Sequence, residues 1–125
     1  MAKRLYGLRG ASGAENTKDS VQKGVAEMCR RLFSDNCLSP EDIVSIHFTL
    51  TKDLTALNPA FALRHSDTGI DVSGCALFSS QEVDIDGSPS GMIRVLLHAY
   101  LEEGTEPKHV YINGAEKLRP DFVRK

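Results

Sequence analysis

The sequence predicts an α/β fold, a mixed sheet covered on one face by two helices. Three observations predict it. Residues 91–100, Gly-Met-Ile-Arg-Val-Leu-Leu-His-Ala-Tyr, form an apolar, strand-like run entered from the Gly-Ser-Pro-Ser-Gly turn at 87–91. Between Thr17 and Phe33, apolar residues recur at spacings of three and four, as one buried helical stripe requires. Strand and helix patterns follow one another in the order β-α-β-α-β-β-β.

Taken in order, Arg4 to Ala11 reads as a short strand ending in a glycine-flanked Arg9. Gly7 and Gly10 allow close approach of another group or unusual backbone angles. The helix from Thr17 to Phe33 buries Val21, Val25, Met28, Cys29, Leu32 and Phe33, with a weak cap at Thr17 and Ser20. Gly24 costs it some stability, and Asn36 is a stop signal. Ser39-Pro40-Glu41-Asp42 offers a cap, a proline at the first helical position and an acidic first turn, with space for about one turn before the strand Ile43–Leu50. Asn58-Pro59 repeats that signature and starts a second helix ending near Arg64 and His65. Residues 70–78 admit either one bulged strand or a turn followed by a strand. Residues 101–107 read as a solvated connector, 109–112 as a last strand, Asn113-Gly114 as a turn, and 113–125 as a C-terminal segment able to move.

One domain over residues 1–125 is the simplest organisation for this length. The chain is 41% apolar and 26% charged, with a net charge of −2 and a pI near 6.1. No broad basic excess is available to neutralise phosphates, which argues against a nucleic-acid partner. No apolar run reaches spanning length and no leader-like h-region opens the chain, so no membrane partner and a cytoplasmic location are expected. Cys29, Cys37 and Cys75 are odd in number and lack metal-like spacing, as do the four histidines; reduced structural thiols and no metal site are expected.

Arg94 is the residue that does not belong in its strand. A guanidinium among apolar neighbours asks for an anion, from the protein or from a ligand. Arg9, Arg64 and Arg119 also sit at element ends, and four planar forks suit a small polyanion. Glu82 and Tyr111 supply an acceptor and a phenolic donor, Glu82 being also the natural partner of Arg94 when no ligand is bound. There is no nucleophile–base pair, phosphate loop or catalytic carboxylate pair. His47 and His98 read as strand residues. Composition and spacing alone reach "α/β domain that binds an anion" and stop there.

Leu8-Arg9-Gly10-Ala11, Gln81-Glu82-Val83-Asp84, Ile93-Arg94-Val95, His109-Val110-Tyr111 and Leu118-Arg119-Pro120-Asp121, with Asp53-Leu54, Pro59-Ala60 and Arg64, carry a resemblance. In this order and spacing they resemble the monofunctional, trimeric chorismate mutases of the pseudo-α/β-barrel class. The resemblance implies a cofactor-free pericyclic rearrangement of chorismate to prephenate in aromatic amino-acid biosynthesis, in a homotrimer whose active sites lie between subunits. It implies that Arg94 donates to the ether oxygen, Glu82 accepts from the ring hydroxyl, and Arg9 binds a carboxylate. Tyr111 hydrogen-bonds the substrate, Arg64 reaches a neighbouring site, and Leu118 and Arg119 help to close the pocket. Asn58, Phe78 and Ser79 complete the substrate-binding set that it implies.

The chain departs from the family pattern at three positions. Ser79 stands where a cysteine is usual, Asn58 where an apolar or aromatic residue is usual, and Phe61 where a lysine is frequent. The stretch between Arg64 and Glu82 is about three residues longer than the pattern, around Ser73-Gly74-Cys75. These changes favour the competing reading, a non-catalytic trimer on the same scaffold that binds a carboxylate metabolite as a sensor. A small trimeric imine or enamine hydrolase is a remoter rival whose motifs are absent.

Overall fold

Alternation along residues 92–102 organises the molecule. In the computed structural model, which describes residues 2–123, Ile93, Val95, Leu97, Ala99 and Leu101 are buried while Arg94, Leu96, His98 and Tyr100 face the other way. That two-residue period is what a sheet with one covered face requires. The run is β4 (Met92–Glu102), the middle of five strands. The others are β1 (Lys3–Gly13), β2 (Ile43–Leu50), β3 (Ala76–Gln81) and β5 (Val110–Ile112), in the spatial order β3-β2-β4-β1-β5. β4 runs antiparallel to β1 and β2, while β1 with β5 and β2 with β3 are parallel pairs.

The covered face lies under α1 (Lys18–Asp35) and the short α2 (Pro59–Arg64). Thr17 caps α1 by accepting from the Ser20 amide, and the helix buries Val21, Gly24, Val25, Met28, Cys29, Leu32 and Phe33. Each large apolar side chain so buried contributes roughly 1.5–3 kcal/mol. Gly24, a weak helix former, has a packing reason: a Cβ there would lie 3.0 Å from Ser12 Oγ, so the glycine lets α1 sit close on β1. Asn36 ends α1 and donates to the Leu32 and Lys108 carbonyls, tying the helix end to the approach of β5. The Asn58 side chain caps α2 through the Ala60 amide, and Gln22 of α1 donates to the Ala62 carbonyl.

The single turn expected at residues 40–42 is the 3-10 helix Pro40–Asp42. The structure decides the open question at residues 70–78: Cys75 N donates to the Val72 carbonyl in a turn, and the strand starts at Ala76. Leu101 and Glu102, read from sequence as connector, still pair with Arg4 and Lys3, so both β1 and β4 are longer than their apolar cores. Asn113 and Gly114 both take positive φ, as the Asn-Gly turn demands. Beyond it lie a 3-10 helix, Ala115–Leu118, and the one-turn α3 (Pro120–Val123). Of the segment expected to be mobile, residues 124 and 125 lie outside the described residues. All three cysteines are free, and burial pushes the Cys29 thiol up to about 12. No helix among the described residues is long and apolar enough to cross a membrane.

Asp42 anchors the start of β2 to β1. Its carboxylate takes Lys3 Nζ at 2.7 Å and the Ser39 hydroxyl at 2.8 Å. The Lys3 ammonium, aided by Ser39, holds that carboxyl below the usual range. A depressed carboxyl stabilises the fold above its unfolded pKa and loses that contribution as pH falls through the folded value. Asp42→Asn should therefore cost about 1 kcal/mol near neutrality. In thermal melts the difference between variant and wild type should vanish once the pH has dropped below the Asp42 titration; a gap unchanged in acid would contradict the assignment.

Candidate active site

The open face of the sheet carries the charged residues, and strand register sets them in two rows. One row runs Ser80, Thr49, Arg94, Ala11, Tyr111 across β3, β2, β4, β1 and β5. The adjacent row runs Phe78, His47, Leu96, Arg9. Two-residue alternation puts every one of these side chains on the face that the helices leave bare. Glu82 follows directly on β3, its amide held by the Leu50 carbonyl at 2.8 Å. Ala11, with only a methyl group, separates Arg94 from Tyr111 along the first row. Together Arg9, His47, Thr49, Glu82, Arg94 and Tyr111 line a cleft of about 410 Å³.

Arg94 is incompletely answered by the protein. Its Nε lies 3.8 Å from Glu82 Oε1, a contact of charges too long for a hydrogen bond. That Nε is buried and has no hydrogen-bond partner among the described residues. Glu82 Oε1 instead accepts from the Thr49 hydroxyl. The salt bridge expected between Glu82 and Arg94 thus exists only as a loose pair. Leaving such a donor buried and unmet costs about 1–3 kcal/mol, and an arriving ligand oxygen would recover it.

The other expected site residues are distributed as follows. Arg9, on β1, donates its backbone amide to His109 Nδ1 at 3.0 Å. Tyr111 is buried in a small cluster with Ala11, Met92 and Ala115, against which Leu118 packs. Arg119 forks onto the Asp121 carboxylate, Nε to Oδ1 at 3.0 Å and Nη2 to Oδ2 at 2.7 Å, and this pairing raises its pKa. Phe78 stands exposed on the open face beside the His47 ring. Ser79 donates to the Asn58 side chain at 2.9 Å beside α2, and neither lines the cleft. Arg64 is exposed at the end of α2, its guanidinium 5.9 Å from the Phe61 ring centre, also outside the cleft.

Thr49 and His47 line the cleft without having been singled out as functional from sequence. Their signal was the alternation of β2, but nothing in one sequence states which β2 residue lies beside Arg94. A larger, more open groove of about 870 Å³ opens at the start of α1, lined by Glu15, Asp19, Glu27 and Asp53. It holds no arginine and does not compete for an anionic ligand. No group of three or more His, Cys, Asp or Glu placed to hold a metal ion occurs among the described residues.

The chain matches the family model described as chorismate mutase type I over residues 5–122. It is 33% identical over 121 residues to chorismate mutase AroH of Thermus thermophilus, covering 94% of this chain and 96% of that protein. To chorismate mutase AroH of Bacillus subtilis it is 29% identical over 123 residues, covering 94% and 92%. Among solved structures, a chorismate mutase from Clostridium thermocellum superposes with a TM-score of 0.79 at 35% identity, covering 90% of this chain and 98% of that one.

An unmet buried donor makes a stability prediction independent of activity. Arg94→Met removes the unpaired Nε and keeps most of the apolar stem, while Glu82 retains its Thr49 donor. The midpoint of urea unfolding should correspond to a stability equal to wild type within about 1 kcal/mol, or higher. A loss several times larger would mean that Arg94 is a structural ion-pair partner.

Proposed function

This chain belongs to the chorismate mutase type I family, and on that premise we propose how its cleft converts chorismate to prephenate. The reaction breaks one carbon–oxygen bond and forms one carbon–carbon bond in a single pericyclic step. It asks for no nucleophile and no proton transfer. What accelerates it is a compact substrate conformer and compensation of the negative charge that grows on the ether oxygen.

The observation that carries the assignment of roles is the buried, unmet Nε of Arg94 in a cleft shared with Arg9, Glu82 and Tyr111. Arg94 donates to the ether oxygen. Because the guanidinium is already fixed by β4, little reorganisation is needed as charge develops, and one such donor is worth roughly 2.7–4 kcal/mol. Arg9 takes a carboxylate, Glu82 accepts from the ring hydroxyl, and Tyr111 donates to the substrate. Thr49, by holding Glu82, keeps that carboxylate from closing on Arg94. Leu118 and Arg119 flank the cleft from the C-terminal segment and cover the bound substrate.

The same reading includes a homotrimer with the cleft completed across subunits, acting without a cofactor in the cytosol. The sheet's bare face supports it: Leu5, Phe78, Leu96 and Tyr100 are 40–66% exposed there, an apolar surface that a second chain would cover. Asn58, Ser79 and Arg64, which lie outside this protomer's cleft, serve a neighbour's cleft in that assembly.

Purified protein should consume chorismate, followed by loss of its absorbance, and no rate above the uncatalysed background from folded protein would refute the activity. Arg94→Ala should lower kcat by about a hundredfold to a thousandfold. Arg94→Lys should recover little of the loss, because a point charge cannot copy the guanidinium's fixed fork. Sedimentation should give the mass of three chains, and Tyr100→Asp should reduce both that mass and the activity; an active monomer would refute the shared site.

A further inference from the structure

The end of β2 holds Glu82 by backbone and by side chain: the Leu50 carbonyl takes its amide at 2.8 Å, and the Thr49 hydroxyl donates to its Oε1. The backbone bond fixes where the residue enters the cleft. The side-chain bond decides where its carboxylate points. Strand register sets Thr49 directly beside Arg94 on β4, so hydroxyl and guanidinium compete for the same oxygen. Thr49 holds it, and Arg94 Nε stands 3.8 Å away. Neighbours able to hold the carboxylate in place of Thr49 are engaged elsewhere. Ser80, next in the row, lies 2.8 Å from His47 Nε2, and Lys52 pairs with Asp84 at 2.9 Å. A hollow of about 350 Å³, lined in part by Lys52, Asp84, Glu82 and Arg94, gives the carboxylate space to turn.

We propose that Thr49 is a positioning residue for the reaction, whose hydroxyl withholds Glu82 from Arg94 and so keeps both groups open to substrate. This deepens the chorismate reading of the cleft and rests on it. Without the hydroxyl, the carboxylate turns to the buried Nε, and the orphaned donor and the orphaned acceptor satisfy each other. The free protein gains by that closure. The substrate loses by it, because its ring hydroxyl and ether oxygen must then displace a formed pair.

Folding and binding should therefore respond with opposite signs. Thr49→Val keeps the branched shape and removes the donor. Its urea midpoint should equal that of wild type or exceed it, whereas loss of a merely structural hydrogen bond would lower it. KM for chorismate should rise about tenfold with kcat within about threefold, because a pair opened by substrate stays open through the rearrangement. Thr49→Ser, which keeps the hydroxyl, should recover most of the loss. In a Glu82→Gln background the uncharged amide has little pull toward Arg94, so there Thr49→Val should raise KM no more than about twofold. A Thr49→Val enzyme with wild-type KM, or with a lowered midpoint, would overturn the role. A folded wild type with no chorismate turnover would instead overturn the reading on which the role rests. The urea midpoints need no turnover and still decide whether Thr49 keeps the pair apart.

Discussion

The site turns on a hydrogen bond that is not made. Thr49 holds the Glu82 carboxylate, so the nearest anion stands 3.8 Å from Arg94 Nε without satisfying it. Had Glu82 closed fully on Arg94, the pair would be self-contained and a ligand oxygen would have to break it. The loose pair leaves the cation in place while leaving its donor open. That arrangement is costly to the free protein by about 1–3 kcal/mol, and the rest of the fold must hold it against collapse.

The scaffold does this through register. Entry into β4 is pinned from two strands: Ala14 N donates to the Gly91 carbonyl at 2.9 Å, and Met92 N donates to Thr51 Oγ1 at 3.1 Å. The Asp53 carboxylate also accepts from Gly91 N at 3.1 Å, and these bonds with Thr51 and Gly91 hold its pKa low. Two residues later comes Arg94, so a slip of one residue would turn the guanidinium into the core under α1. The buried stripe of α1 and the close approach at Gly24 then fix the sheet from behind. The packed face supplies the rigidity, and the bare face carries Arg9 and Arg94 of the cleft.

Much of the fold was legible because local signals agreed with the tertiary structure. The periodicity between Val21 and Phe33 and the cap-then-proline signatures at Ser39-Pro40 and Asn58-Pro59 all appear where the sequence places them. Strand ends were less legible, since Leu101 and Glu102 stay in the sheet through backbone pairing that side-chain polarity does not report. The site was legible in its residue types and not in its layout. Arg9, Glu82, Arg94 and Tyr111 line one cleft, and Thr49 and His47 join them there only through their lateral neighbours on β3 and β4. Ser79 and Asn58 illustrate the converse: nothing in their sequence positions says that Ser79 donates to Asn58 beside α2, outside the cleft.

The mechanism proposed above holds Arg94 open for a ligand oxygen. A crystal structure of the protein with a non-reacting dicarboxylate analogue, carrying an oxygen at the position of the breaking ether bond, tests this most directly. That oxygen should lie within hydrogen-bond distance of Arg94, with a carboxylate on Arg9 and with Glu82 still accepting from Thr49. A direct two-point salt bridge between Glu82 and Arg94, with the analogue bound elsewhere, would contradict it.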